Sequence, residues 1–237
     1  MTMRIAVAIS GRGSNLDALL HALGPGAPAE VALVLSDRPA PGLDLARARQ
    51  IPATVLTDSS DGEAWLELLG RHEIELLVLA GYLKLVPSGV IAAYRGRIIN
   101  VHPALLPAFG GKGMYGRRVH EAVLASGARE SGATVHLVDE AYDHGATLAQ
   151  ARVPVLPGDT PERLAERVLQ QEHRLLPAVV LAAARAGRVM ALDQPPVASP
   201  QPSVTSHETR VTTDESRGPA RDDSKLATRD SRLATGD

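Results

Sequence analysis

The sequence predicts an α/β fold: a doubly wound, Rossmann-like, mostly parallel sheet with an antiparallel C-terminal extension, a long final helix and a disordered tail. Three observations carry this. Short apolar runs alternate with amphipathic segments through the first half of the chain, the pattern of βαβ units with right-handed crossovers. One run, Leu76 to Leu79, is apolar at every position, as expected of a strand covered by helices on both faces. The first run ends in a glycine-rich turn leading directly into a helix, an arrangement that offers backbone N–H groups to an anion.

Taken in order, Arg4 to Ile9 reads as the first strand, Ser10 to Asn15 as the turn, and Leu16 to Leu23 as an amphipathic helix. Gly11 and Gly13 permit close backbone approach, and Ser14 or Asn15 can cap the helix or bind a phosphate oxygen. The turn matches neither the dinucleotide fingerprint nor the P-loop, so a plain capped turn and a phosphate cradle both fit. Val31 to Leu35 and Ala53 to Leu56 are the next strands, with a short helix near Leu43 to Gln50 between them. Glu63 to Glu73 forms a helix with Trp65, Leu66, Leu68 and Leu69 on one side, and Ser88 to Tyr94 a shorter one.

Ile98 to Val101 is the last strand of this half. Asn100 and His102, two residues apart, point into one space. Pro103 cannot donate to a ladder and ends the strand, and Pro107 stiffens the exit loop. Ligands of open α/β sheets bind where strands end. An amide and an imidazolium N–H can both donate to a developing oxyanion, and imidazole also moves protons near pH 7. Alone, Asn-x-His is more simply a buried pair satisfied by backbone, and the rest of the chain must argue for more.

Phe109 to Gly116 holds too many glycines for a regular element and reads as a mobile loop over the site. Lys112 within it is either a solvated lysine or a ligand for an anion. Arg118 to Ser126 returns to helix, and Thr134 to Val138 and Thr147 to Val155 alternate as two antiparallel strands joined by Asp139 to Gly145. Asp159-Thr160-Pro161-Glu162 starts a helix with proline in its first turn, running to Ala186 and interrupted or kinked at Pro177.

Composition sets outer bounds. The 237 residues are 44% hydrophobic but only 3% aromatic, so aliphatic side chains must fill the core. The absence of cysteine excludes disulfides, thiolate metal sites and cysteine nucleophiles. No apolar run approaches the roughly 20 residues that span a bilayer. The net charge of −2 argues against a nucleic-acid surface. The chain is therefore expected to be cytoplasmic, to act on small molecules with neither nucleic acid nor membrane as partner, and to be a monomer or weak homodimer. Two segments are expected: a folded body over 1–190 and a low-complexity tail over 191–237, which carries 8 acidic and 6 basic side chains and no apolar period. Too little apolar surface remains there to offset the entropy of ordering.

Three stretches line up: Ser10-Gly11-Arg12-Gly13-Ser14-Asn15; Asn100-Val101-His102-Pro103 with Leu105-Leu106-Pro107; and His136 to Glu140 running on to Asp143-His144-Gly145. Together they resemble the phosphoribosylglycinamide formyltransferase family, over about Met3 to Val189. Gln171-Glu172-His173 on the last helix is a further match. The resemblance implies a catalytic trio of Asn100, His102 and Asp143, with 10-formyltetrahydrofolate as co-substrate and no metal. It implies that Gly13, Ser14, Asn15, Gln171 and Glu172 bind the ribonucleotide. Leu83, Lys84, Leu85 and Val86, with Asp139, Glu140, Ala141, Tyr142, Asp143 and Asn100, would line the folate pocket, and His136 lies beside the site. Asp143 is expected to favour the imidazolium form of His102 and to steer a proton-relaying water.

Departures are local. His144-Gly145 stands where many members have Gly-Gly, Gly62 where some have a folate-tail arginine, and Lys84 where others have Arg or Lys. Rival readings are a methionyl-tRNA formyltransferase, expected to carry a folded basic C-terminal domain; a formyltetrahydrofolate hydrolase, expected to carry an N-terminal regulatory domain ahead of the first strand; and a non-catalytic nucleotide-phosphate binding module, which would have no use for the trio.

Overall fold

The computed structural model describes residues 2–192. The expectation of a disordered tail falls almost wholly on 193–237, outside the described residues; Leu192 itself is ordered, its N–H donating to the Leu148 carbonyl at 2.8 Å.

Thirteen elements follow in order: β1 (Met3–Ile9), α1 (Ser14–Ala22), β2 (Ala29–Ser36), α2 (Gly42–Ala48), β3 (Ala53–Val55), α3 (Gly62–Arg71), β4 (Leu76–Leu79), α4 (Ser88–Ala93), β5 (Ile98–His102), α5 (Arg117–Ala125), β6 (Glu130–Leu137), β7 (Thr147–Pro154) and α6 (Pro161–Ala186). The strands form one sheet in the order β3-β2-β1-β4-β5-β6-β7. Pairing is parallel from β3 to β5 and antiparallel from β5 to β7. The strand order reverses between β1 and β4, so their carboxyl ends splay apart and leave a crevice.

Each sheet face has its own apolar layer. Ile5, Val7 and Ile9 of β1 pack with Leu16 and Leu19 of α1 and Leu175, Leu176, Val179 and Val180 of α6. Ala6 and Ala8 face the other way, toward Trp65 and Leu69 of α3 and Val90 and Ile91 of α4. Alternation along a single strand thus feeds both layers. Each fully buried Leu or Ile contributes roughly 1.5–3 kcal/mol. The one tryptophan, Trp65, is fully buried, edge-on to Tyr82 at 5.6 Å, and donates its indole N–H to the Ser59 carbonyl.

Helix ends follow local chemistry. Asp61 caps α3 by accepting from the Glu63 and Ala64 N–H groups, both at 3.0 Å. Thr160 caps α6, and Gly187 closes it in the left-handed conformation. Pro177 does not interrupt α6, which runs unbroken for 26 residues. Pro177 is itself buried, and that burial acts against the cost of the lost backbone hydrogen bond.

Candidate active site

The carboxyl ends of β1, β4 and β5 open into one cavity of about 950 Å³. Its floor is set by strand register. Asn100 and His102 alternate with buried Val101, so both side chains rise from the same face of β5. The antiparallel partner strand places His136 directly opposite Asn100 and Thr134 opposite His102. Thr134 is the fastener beneath them. Its hydroxyl donates to the Ala104 carbonyl at 2.6 Å and accepts from the Leu106 N–H and the Gln150 amide. The exit loop is thereby tied down, and His102 with it.

Asp143 arrives from the loop between β6 and β7, in the left-handed conformation at φ 56° that Asp tolerates better than most residues. Its Oδ2 lies 3.4 Å from His102 Nδ1 and accepts the Gly111 N–H at 2.9 Å. Its Oδ1 lies 3.4 Å from Asn100 Nδ2 and 3.6 Å from His136 Nε2. Asn100 Nδ2 also donates to His136 Nε2 at 3.0 Å, while His136 Nδ1 donates to the Leu137 carbonyl. The other nitrogen of His102, Nε2, donates to the Phe109 carbonyl at 2.8 Å. An amide and an imidazole two residues apart therefore meet a carboxylate more than forty residues further along the chain.

Burial lowers the His102 pKa below the ordinary imidazole value, while the Asp143 charge and the Phe109 carbonyl act to raise it, the direction expected of a neighbouring carboxylate. Burial pushes the Asp143 carboxyl up, but His136, His102 and the Gly111 N–H outweigh it and hold it below the ordinary value.

The glycine-rich turn forms the opposite wall. Neither Ser14 nor Asn15 caps α1: the cap position is Gly13, at φ 80°, without a side-chain acceptor, and a Cβ there would sit 2.9 Å from Gly42 Cα. Ser14 and Asn15 open the helix instead. Asn15 Nδ2 donates to Glu172 of α6 at 2.6 Å, while its Oδ1 is enclosed without a partner. Burial raises the Glu172 pKa, against the smaller opposing effect of Asn15.

Gly13, Ser14, Asn15, Glu172, Leu83, Lys84, Leu85, Val86, Asp139, Ala141 and Tyr142 all line the cavity with the trio. Gln171 and Glu140 do not. Gln171 is buried one position round α6 from Glu172, and Glu140 faces a separate shallow depression beside Arg95. Lys112 is exposed and lies in the cavity wall. Sequence reasoning missed His120 of α5, a buried wall residue whose Nδ1 has no partner, and the stacked pair Arg118 over Tyr115. The spacing of His120 behind the glycine run was the one available signal. Among the described residues, no group of three or more His, Asp or Glu side chains could hold a metal ion, and no helix is long and apolar enough to cross a membrane.

The crevice at the carboxyl ends of an open α/β sheet thus holds an amide, an imidazole and a carboxylate, facing a glycine turn that opens a helix. The chain belongs to the formyl transferase family, whose model matches residues 3–180. Among its relatives is the chloroplastic phosphoribosylglycinamide formyltransferase of Arabidopsis thaliana, 46% identical over 186 residues covering 75% of this chain and 64% of the plant protein. The Haemophilus influenzae phosphoribosylglycinamide formyltransferase is 36% identical, over 75% of this chain and 85% of its own. The crystal structure of the Brucella melitensis phosphoribosylglycinamide formyltransferase superposes with a TM-score of 0.71 at 42% identity, covering 81% of this chain and 100% of that one. The glycinamide ribonucleotide transformylase 1 of Symbiobacterium toebii gives 0.74 at 38%, covering 81% and 95%. The chain spans less than two thirds of the length of the plant relatives, 64% and 59% of them.

Proposed function

We propose that this chain transfers the formyl group of 10-formyltetrahydrofolate to the primary amine of glycinamide ribonucleotide, in de novo purine synthesis. The observation that carries this reading is the convergence of Asn100, His102 and Asp143 in a cavity that also holds the Gly13–Asn15 turn and Glu172. The names carried by its relatives support formyl transfer to the glycinamide ribonucleotide.

The residues suggest a sequence of steps. The 5′-phosphate sits on the free N–H groups of the Gly13 turn and the start of α1. Glu172 and the unpartnered Asn15 Oδ1 face the rest of the ribonucleotide. The pterin lies between Leu83–Val86 and Asp139–Asp143, where exposed Leu83, Leu85 and Tyr142 offer apolar cover. The neutral amine attacks the formyl carbon; a C–N bond forms and the carbonyl oxygen becomes an oxyanion. Asn100 gives up its long 3.4 Å contact with Asp143 Oδ1 and donates that Nδ2–H to the new oxyanion, an interaction worth about 3–4 kcal/mol in comparable sites.

His102 lies beside the same oxygen, with the Asp143 carboxylate 3.4 Å from its Nδ1 to stabilise its imidazolium form. The new ammonium passes one proton, by way of this pair, to the folate nitrogen as the bond from that nitrogen to the formyl carbon breaks. Protons balance, and tetrahydrofolate leaves.

The test is an assay of the purified full chain with 10-formyltetrahydrofolate and, separately, glycinamide ribonucleotide, initiator methionyl-tRNA or water as acceptor. Formylated ribonucleotide is the expected product; turnover with only tRNA or water would overturn the reading. We further propose a monomer or weak homodimer in the cytoplasm, checked by light scattering and by imaging of the tagged chain.

A further inference from the structure

Strands β1 and β4 part where the cavity opens, and one residue ties the two sides together. Ser10 follows β1 directly and is buried. It is not part of the cavity wall, yet both sides of the gap it bridges are: Gly11 to Asn15 on one side and Gly81 to Val86 on the other. The ladder between the strands ends with the Ala80 N–H on the Ala8 carbonyl at 2.9 Å. Two bonds cross the gap beyond that point, and Ser10 makes both. Its N–H donates to the Gly81 carbonyl at 3.1 Å, and its hydroxyl oxygen accepts the Leu83 N–H at 3.0 Å. A side-chain oxygen thus serves as acceptor where the backbone ladder has run out. The glycine turn has a second tether, the Gly42 N–H on the Gly11 carbonyl at 3.2 Å. The facing segment has less to hold it. Leu83 and Leu85 are 40% and 47% exposed, so their side chains pack on little and the Leu83 N–H bond matters more.

We propose that Ser10 is a positioning residue that clamps the glycine turn to the Leu83–Val86 segment and so sets the spacing between the two substrates. The inference rests on the proposed formyl transfer, in which the ribonucleotide is held by the first of these walls and the folate by the second. A shift of one wall against the other then separates the amine from the formyl carbon without removing any contact that either substrate makes with its own wall. Misplacement by about 1 Å can cost on the order of a hundredfold in rate. A serine that only completed a turn would act differently. Its loss would loosen the sheet, or weaken one substrate's binding, and leave the distance between the substrates out of account.

Ser10→Ala removes the oxygen and keeps the backbone bond to Gly81, and circular dichroism checks that the variant is folded. Three probes are titrated calorimetrically into the full chain: glycinamide ribonucleotide alone, tetrahydrofolate alone, and a linked compound in which one carbon joins the amine of the first to the formyl-carrying nitrogen of the second. Each half should bind Ser10→Ala within about threefold of the unmodified chain, whereas the linked compound, whose fixed length gauges the spacing, should lose about tenfold, the scale of one hydrogen bond. In turnover, kcat should fall by about the same tenfold with both KM values little changed. A linked compound that loses no more than its halves, or a tenfold loss confined to one half, would overturn the proposal. Amide exchange followed by NMR without any ligand reads the clamp itself. The Leu83 amide should be protected in the unmodified chain and exchange at least about tenfold faster in Ser10→Ala, while the Ala80 amide keeps its rate. An unprotected Leu83 amide in the unmodified chain, or equal acceleration at Ala80, would refute the clamp. Failure of the unmodified chain to bind either half would sink the assigned reaction, and the Leu83 amide would still decide whether Ser10 ties the two walls.

Discussion

The sharpest test of the site is Asp143→Asn. The substitution keeps shape, and its amide oxygen can still accept the Gly111 N–H, but it removes the negative charge 3.4 Å from His102 Nδ1. At that separation and an effective dielectric constant near 20, the attraction between the carboxylate and a protonated His102 is about 5 kcal/mol. Water at the cavity mouth reduces this, so about 3 kcal/mol is the expected loss, or on the order of a hundredfold in kcat. The loss belongs to the stage after attack, when His102 holds the extra proton. The KM for the ribonucleotide should therefore stay near its original value. The assay is steady-state formation of tetrahydrofolate at pH 7.5, alongside circular dichroism to confirm the fold. An imidazole titration adds a second arm. Asp143 acts to raise the His102 pKa, so its removal should push that pKa further below the ordinary value. A kcat within threefold of the original, or an imidazole pKa that rises, would refute the reasoning.

Three further outcomes follow from other contacts. Arg167 grips Asp159 with two bonds of 2.7 and 2.9 Å and holds its pKa at about 2. A lowered carboxyl pKa gives stability that is fully present above the ordinary value of 3.8 and lost as pH falls through about 2. Asp159→Asn should then cost about 1–2 kcal/mol at pH 7 after solvent screening, and flatten the acid limb of a urea-unfolding series. Glu172 is the converse case, since a raised carboxyl pKa makes the folded state pay as pH climbs past the ordinary value of 4.5. Glu172→Gln should raise the thermal midpoint at pH 8 but not at pH 4, while the KM for the ribonucleotide increases about tenfold through loss of a charged hydrogen bond; a lower midpoint at pH 8 would contradict the assignment. Gly145 is pressed against the Leu137 carbonyl so closely that a Cβ would overlap it. Gly145→Ala should cost about 1–3 kcal/mol in denaturant unfolding and weaken turnover by shifting the Asp143 loop.

Where a residue's role depends on its own segment, the sequence made it readable. The alternation Asn100-Val101-His102 ahead of Pro103 needs only strand geometry to set two polar groups on one face, and the register with β6 then adds His136 without further assumptions. The apolar run at Leu76–Leu79 and the capped start of α6 are equally local. The features that escaped are those settled by what a segment meets in space. Ser10 to Asn15 offered two good caps, yet a left-handed Gly13 took the cap position, because α2 comes so close at Gly42 that only a bare backbone fits. Pro177 would interrupt or kink a helix by local rules; α6 is not interrupted there, and the residue is buried. Asp143 acts on His102 in the direction its sequence position leads one to expect, raising the imidazole pKa. Enclosing that imidazole to 3% exposure adds a desolvation effect of opposite sign, which is the larger and which no local pattern announces.

In the proposed transfer that balance matters at one point. The attraction between the Asp143 carboxylate and His102, 3.4 Å apart, counts only while the imidazole holds a proton, and desolvation of the ring opposes that form. If the pair carries its proton as the tetrahedral species forms, the attraction is stronger there than in the ground state, and an interaction of that kind raises kcat rather than merely tightening binding.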